Sequence, residues 1–109
     1  MRADLPIRHV IQKLDTTGDA LPVIEFLAWQ DGDWHFTTDR KQEHIFPTQR
    51  EALAWVDENR HHHTGPRISL ILCPYHHDAQ GREHTLRPIP RHHITPEETY
   101  AQLEKQHLA

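Results

Sequence analysis

The stretch at residues 67–75, RISLILCPY, constrains the fold more than any other part of the chain. It is the most apolar run, and alternation of side chains along an extended backbone would place apolar groups on both faces of a sheet. Such two-sided burial is typical of an interior strand. We therefore predict an interior strand over residues 67–74, ending where Pro74 removes a backbone hydrogen-bond donor.

The region before this strand predicts a hairpin followed by a helix. Residues 23–29 and 34–38 are rich in aromatic and β-branched side chains, and Asp31-Gly32 between them favours a two-residue type I′ turn. We expect the second strand to continue, with a bulge, as far as Phe46. A helix is predicted over residues 48–60 because Thr48 and Glu51 form a T-x-x-E capping box.

The region after the strand repeats this plan. Residues 84–89 predict a returning strand, which Pro88 and Pro90 should cut short or confine to a sheet edge. A second capping box predicts another helix over residues 95–107.

Together these elements predict an α+β fold with an antiparallel sheet of about five strands and both helices on one face. The order is β-β-β-α-β-β-α, with two ββα units. A weakly patterned strand over residues 7–14 is expected to add to a sheet edge.

Composition narrows the range of functions. The 109 residues carry a net charge of −4 with their 12 histidines neutral, which argues against a dedicated binder of nucleic acid or anionic membranes. No run is long and apolar enough to span a membrane. One cysteine, Cys73, cannot form an intramolecular disulfide and indicates a reducing compartment. We expect a cytoplasmic protein that forms one small domain over residues 1–109.

The first functional hypothesis is a protein-interaction or regulatory module that binds a protein partner or a second copy of itself. Helices on one face would leave the other face of the sheet uncovered, and we expect apolar side chains there, including Val23, Leu27 and Trp29. An exposed apolar patch generally marks an interface. Trp29 and Trp55 are natural anchor residues for such an interface.

A transition-metal site is the second hypothesis. Histidine and cysteine are the usual ligands of zinc and nickel. The candidate ligands lie at or after the end of the interior strand: Cys73, His76, His84 and His93. Their spacing matches no zinc-finger pattern. The same region contains the one nucleophile–base–acid grouping of the chain, but all of it is local in sequence, and we predict a non-enzymatic protein with no assigned catalytic residue.

Nucleic-acid binding is the third hypothesis. Residues 82–93 contain Arg82, Arg87 and Arg91 against a single acidic residue. Trp34 and Phe36 would offer stacking surfaces if they lay on the uncovered face of the sheet.

Overall fold

The structure is a computed structural model that describes residues 6–18 and 20–91. Within them the chain forms one α-helix and six strands: β1 (Arg8–Asp15), β2 (Val23–Gln30), β3 (Asp33–Thr37), α1 (Gln49–His63), β4 (Ile68–His77), β5 (Glu83–Thr85) and β6 (Ile89–Arg91). All strand pairs are antiparallel. The predicted α+β class and antiparallel sheet are therefore confirmed. The second predicted helix, over residues 95–107, lies outside the described residues.

The strand order is β3-β2-β1-β4-β5, with β6 also paired to β4. The predicted edge position of the first strand is therefore wrong, because β1 lies between the two hairpins and pairs with β4 over its whole length. Val10 and Ile11 are both buried, although their side chains point to opposite faces. Gln12 and Lys13 interrupt the apolar pattern that usually identifies a central strand.

The predicted end of the interior strand at Pro74 is also wrong, since β4 continues to His77. The Pro74 carbonyl accepts the N–H of Leu86 at 2.9 Å, on the side away from β1. The N–H and C=O of one residue in an antiparallel strand point to the same side. A backbone N–H at position 74 would therefore point into the gap between β5 and β6, so its absence in proline breaks no hydrogen bond between strands.

The edge of the sheet beyond β4 consists of two short segments. The single returning strand predicted over residues 84–89 is divided into β5 and β6. Pro88 lies in the gap between them and Pro90 lies in β6. The prediction that these prolines shorten the strand and hold it at an edge is confirmed.

Helix α1 begins as predicted and ends one turn later. The Thr48 hydroxyl accepts the N–H of Glu51 at 3.2 Å, which satisfies one donor at the helix start. The helix continues to His63, whose ring stacks on Trp55, with 5.8 Å between ring centroids, and contacts Phe36. Ala52, Trp55 and Val56 form the buried stripe of the helix.

The connection from β3 to α1 does not extend the hairpin, contrary to the prediction. β3 ends at Thr37, and after a short 3-10 helix residues 43–46 fill the space where β1 and β2 diverge. The His44 N–H donates to the Leu27 carbonyl and the Phe46 N–H donates to the His9 carbonyl, both at 2.8 Å. This segment carries the chain to the face of the sheet that α1 covers.

The hydrophobic core lies between α1 and that face. It consists of the buried side chains Ile11, Leu27, Phe46, Ala52, Trp55, Val56, Leu70 and Leu72.

The central position of β1 makes Ile11 a sensitive test of the fold. Its side chain is 0% exposed, so the change Ile11→Ala should lower the free energy of unfolding by about 2–5 kcal/mol. The same truncation at Leu21, which is 87% exposed, should change it by less than about 0.5 kcal/mol. Urea unfolding followed by circular dichroism measures both. Equal effects at the two positions would contradict the central placement.

Candidate protein-interaction surface

The β2–β3 hairpin has the geometry that its sequence predicts. Asp31 and Gly32 have φ values of 53° and 77°, which fit a type I′ turn. The turn pairs Gln30 with Asp33, and the register continues with Trp29 opposite Trp34. β3 is the last strand on this side of the sheet.

An aromatic cluster occupies the corner between this hairpin, the 43–46 segment and α1. Its members are Trp29, Trp34, Phe36, His44, Phe46, Trp55 and His63, each in ring contact with at least one other. Trp34 is at its centre, stacked on Phe46 at 5.7 Å and edge-on to Trp29 at 4.8 Å between ring centroids. Such pairs add stability beyond the burial of their surface.

The four residues predicted for an interface occupy different environments. Trp29 is 50% exposed and extends the aromatic cluster to the surface, whereas Trp55 is 8% exposed and belongs to the core. Leu27 is fully buried beneath α1, so its predicted exposure is wrong. Val23 is about half exposed but lies at the opposite end of β2 from Trp29. Of the four, Trp29 alone combines exposure with contact to the cluster.

No strand of the described residues pairs with the outer side of β3. The Leu27 carbonyl accepts the N–H of His44, so the backbone hydrogen-bonding groups of Leu27 point away from β3. Leu27 and Phe36 therefore face each other as a non-hydrogen-bonded pair. Trp34 and Phe36 therefore direct their own N–H and C=O groups outward. Among the described residues one group alone partners this edge, the carboxylate of Asp33, which accepts the Trp34 N–H at 2.8 Å.

The two edges of the sheet differ in a way that bears on binding. The β5/β6 edge is interrupted and contains prolines, which are devices that prevent pairing with further strands. β3 contains no proline or lysine and is continuous over five residues. It is thus the edge better suited to accept another strand.

Two histidines in the cluster are shifted towards the neutral form. Burial lowers the pKa of His44. Burial also lowers the pKa of His63, with a further contribution from the positive charge of Lys13. His9, beside the 43–46 segment, has its pKa lowered by burial as well.

The three predicted metal ligands that lie in the described residues, Cys73, His76 and His84, do not all lie on one face of the sheet. Cys73 lies on the opposite face of β4 from His76 because the strand continues through Pro74 and its side chains alternate. Burial raises the pKa of the Cys73 thiol to about 11, which disfavours the thiolate that binds metals. His76 and His84 are stacked at 5.2 Å between ring centroids, and His93 lies outside the described residues. Among the described residues no group of three or more histidine, cysteine, aspartate or glutamate side chains is arranged to hold a metal ion.

Asp78 stabilises the turn between β4 and β5. Its carboxylate is 2.8 Å from the His84 ring nitrogen and accepts the backbone N–H groups of Gln80 and Arg82. The hydrogen bond with His84, and then the one from the Arg82 backbone, hold the pKa of Asp78 well below its ordinary value. These contacts organise the turn.

The groups expected to contact nucleic acid are differently placed as well. Trp34 and Phe36 lie on the face that α1 covers and pack against the core, so the condition under which they would offer stacking surfaces to nucleic acid is not met. Arg82 is ion-paired with Asp78 at 2.9 Å, and Arg91 is 3.6 Å from the carboxylate of Asp57.

Comparison with known proteins gives no relative. No family model, curated protein or solved structure matches this chain. No helix in residues 6–18 and 20–91 is long and apolar enough to cross a membrane.

The open edge of β3 is the feature that sequence reasoning missed. Which strand lies at an edge depends on the strand order, and a first strand at an edge predicts a different order from the observed one, in which β1 lies between the hairpins. One local signal was available: prolines occur in residues 84–90 and are absent from residues 33–37.

The different environments of the two tryptophans predict different effects on stability. Trp55→Ala should lower the free energy of unfolding by about 3–5 kcal/mol because it leaves a cavity in the core. Trp29→Ala should cost about 1–2 kcal/mol, since it removes mainly the edge-on contact with Trp34. Urea unfolding compares the variants. A cost at Trp29 equal to that at Trp55 would place Trp29 in the core and remove it from the candidate surface.

The lowered histidine pKa values predict loss of stability in mild acid. The unfolded chain begins to bind protons at these positions as the pH falls through about 6.5, while the folded state keeps them neutral. The free energy of unfolding should therefore fall below about pH 6.5, and His44→Gln should make the fall shallower. The lowered pKa values of Asp15 and Asp78 act in a separate range, below about pH 4. Urea unfolding at several pH values tests this, and an unchanged slope in His44→Gln would contradict it.

Proposed function

We propose that this protein is a non-enzymatic interaction module that binds an extended protein strand along the edge of β3, beside Trp29. The observation that carries the proposal is the open outer side of β3, where Trp34 and Phe36 direct backbone groups outward. A strand added to an exposed sheet edge gains affinity from backbone hydrogen bonds and specificity from its side chains.

Trp29 supports the proposal because it offers an anchor next to this edge. Its ring is half exposed but is held edge-on against Trp34, so little side-chain freedom remains to be lost on binding. Tryptophan is among the residues that most often dominate interface energies.

The two other hypotheses receive less support from the same geometry. A metal site that includes Cys73 would have to gather ligands from both faces of β4. Two of the three arginines predicted to contact nucleic acid, Arg82 and Arg91, are paired with carboxylates.

The proposal can be tested by site-specific photo-crosslinking in cells. Benzoylphenylalanine at position 29 keeps an aromatic ring against Trp34 and should give defined protein adducts, because only β3 separates this position from the bound strand. The same group at position 21 is the control, since Leu21 is more exposed than Trp29 and random collisions would label it more strongly. Mass spectrometry of each adduct then shows whether the partner is another protein or a second copy.

Two outcomes would overturn the proposal. One is the absence of any protein adduct at position 29, and the other is the same set of adducts at positions 29 and 21. Circular dichroism of both proteins confirms that the substituted chains fold.

A further inference from the structure

We infer that the strand bound at β3 is β3 of a second copy of this chain, paired antiparallel about a two-fold axis at His35. This inference rests on the proposed function, because it names the partner for the same edge. The argument uses the backbone pattern, the side chains that pairing brings together and the position of α1.

The backbone pattern of β3 is complementary to itself. The residues with outward N–H and C=O groups, Trp34 and Phe36, flank His35 symmetrically. In an antiparallel pair centred on His35, each Trp34 lies opposite Phe36 of the second copy. Both such pairs are then of the hydrogen-bonded type, in which two residues exchange both of their bonds.

The side chains brought together by this register are compatible. On the face that carries the aromatic cluster, Trp34 meets Phe36 of the second copy, an aromatic cross-strand pair of the kind that stabilises sheets. Asp33 lies opposite Thr37 of the second copy, so the pairing opposes no like charges at the strand ends. On the other face the two His35 side chains are direct neighbours across the axis.

Within the described residues, the position of α1 is compatible with a second copy at β3. Helix α1 packs over β1 and β4, so the main body of the helix is set back from β3. After Thr37 the chain turns, with its hydroxyl accepting the N–H of Asp39 at 3.1 Å. The shared register is therefore limited to the five residues of β3.

One internal contact competes with this pairing. The Asp33 carboxylate accepts the outward N–H of Trp34 and must release it before a second strand can bind there. We expect Asp33→Ala to strengthen self-association, because it removes this competitor without removing any backbone group of the pairing.

The decisive experiment uses opposite charges at position 35. The wild-type protein should sediment as a dimer that dissociates on dilution. His35→Lys and His35→Glu should each weaken self-association by about fivefold, because like charges face one another across the axis. An equimolar mixture of the two variants should recover the dimer, since lysine then faces glutamate.

Thr85→Lys and Thr85→Glu are the matched controls. Thr85 is exposed on β5, at the opposite edge of the sheet, so neither change should affect association. Amide exchange in the wild-type protein gives a second readout that needs no variant. Protection of the Phe36 N–H should rise with protein concentration, whereas the His35 N–H, which faces β2, should be protected at every concentration.

Three results would overturn the inference. The first is a monomer at all concentrations up to roughly 1 mM, and the second is a dimer whose self-association is unchanged in His35→Lys and His35→Glu. The third is an equimolar mixture of these two variants that associates no better than either variant alone. If the protein is a monomer but position 29 still crosslinks to another protein, the inference fails and the proposed function stands. A monomer without crosslinks at position 29 would remove both.

Discussion

The pairing of β1 with β4 is the interaction on which the rest of the structure depends. These strands are in register over the eight residues of β1, with Ile11 opposite Leu72 and Val10 opposite Cys73. Every other strand reaches the sheet through one of them, since β2 and β3 extend from β1 while β5 and β6 pair with β4. Because the two strands are far apart in sequence, closing the loop between them costs conformational entropy that the core beneath α1 must offset.

This dependence explains which parts of the fold can be read from the sequence. Local signals were sufficient for the Asp31-Gly32 hairpin and for the start of α1 at Thr48, because turn and cap geometry depends on neighbouring residues. The position of β1 could not be read in the same way. Its burial comes from partners distant in the chain, and Lys13 can occupy a central strand because its ammonium group lies 4.1 Å from the centroid of the Phe36 ring.

The candidate surface was less predictable, because the exposure of its side chains also depends on elements distant in the chain. Trp29 was identified from its residue type, but Leu27, two residues earlier, belongs to the core because the hairpin packs that face under α1. The separation of Cys73 from His76, two of the candidate metal ligands, was missed because of one local feature. Pro74 was expected to end β4, whereas its missing donor faces the gap between β5 and β6, so the strand alternation separates Cys73 from His76.

The short length of the open edge has its own physical consequence. A long, flat edge strand would pair with many extended segments and promote aggregation. Here the turn after Thr37 limits the length of β3, and the Asp33 carboxylate occupies one of the outward N–H groups. So few backbone hydrogen bonds cannot by themselves hold a partner against the entropy lost on association. Under the proposed strand binding, affinity would therefore come largely from the side chains beside the edge, and the exposed half of Trp29 and the faces of Trp34 and Phe36 would select the partner.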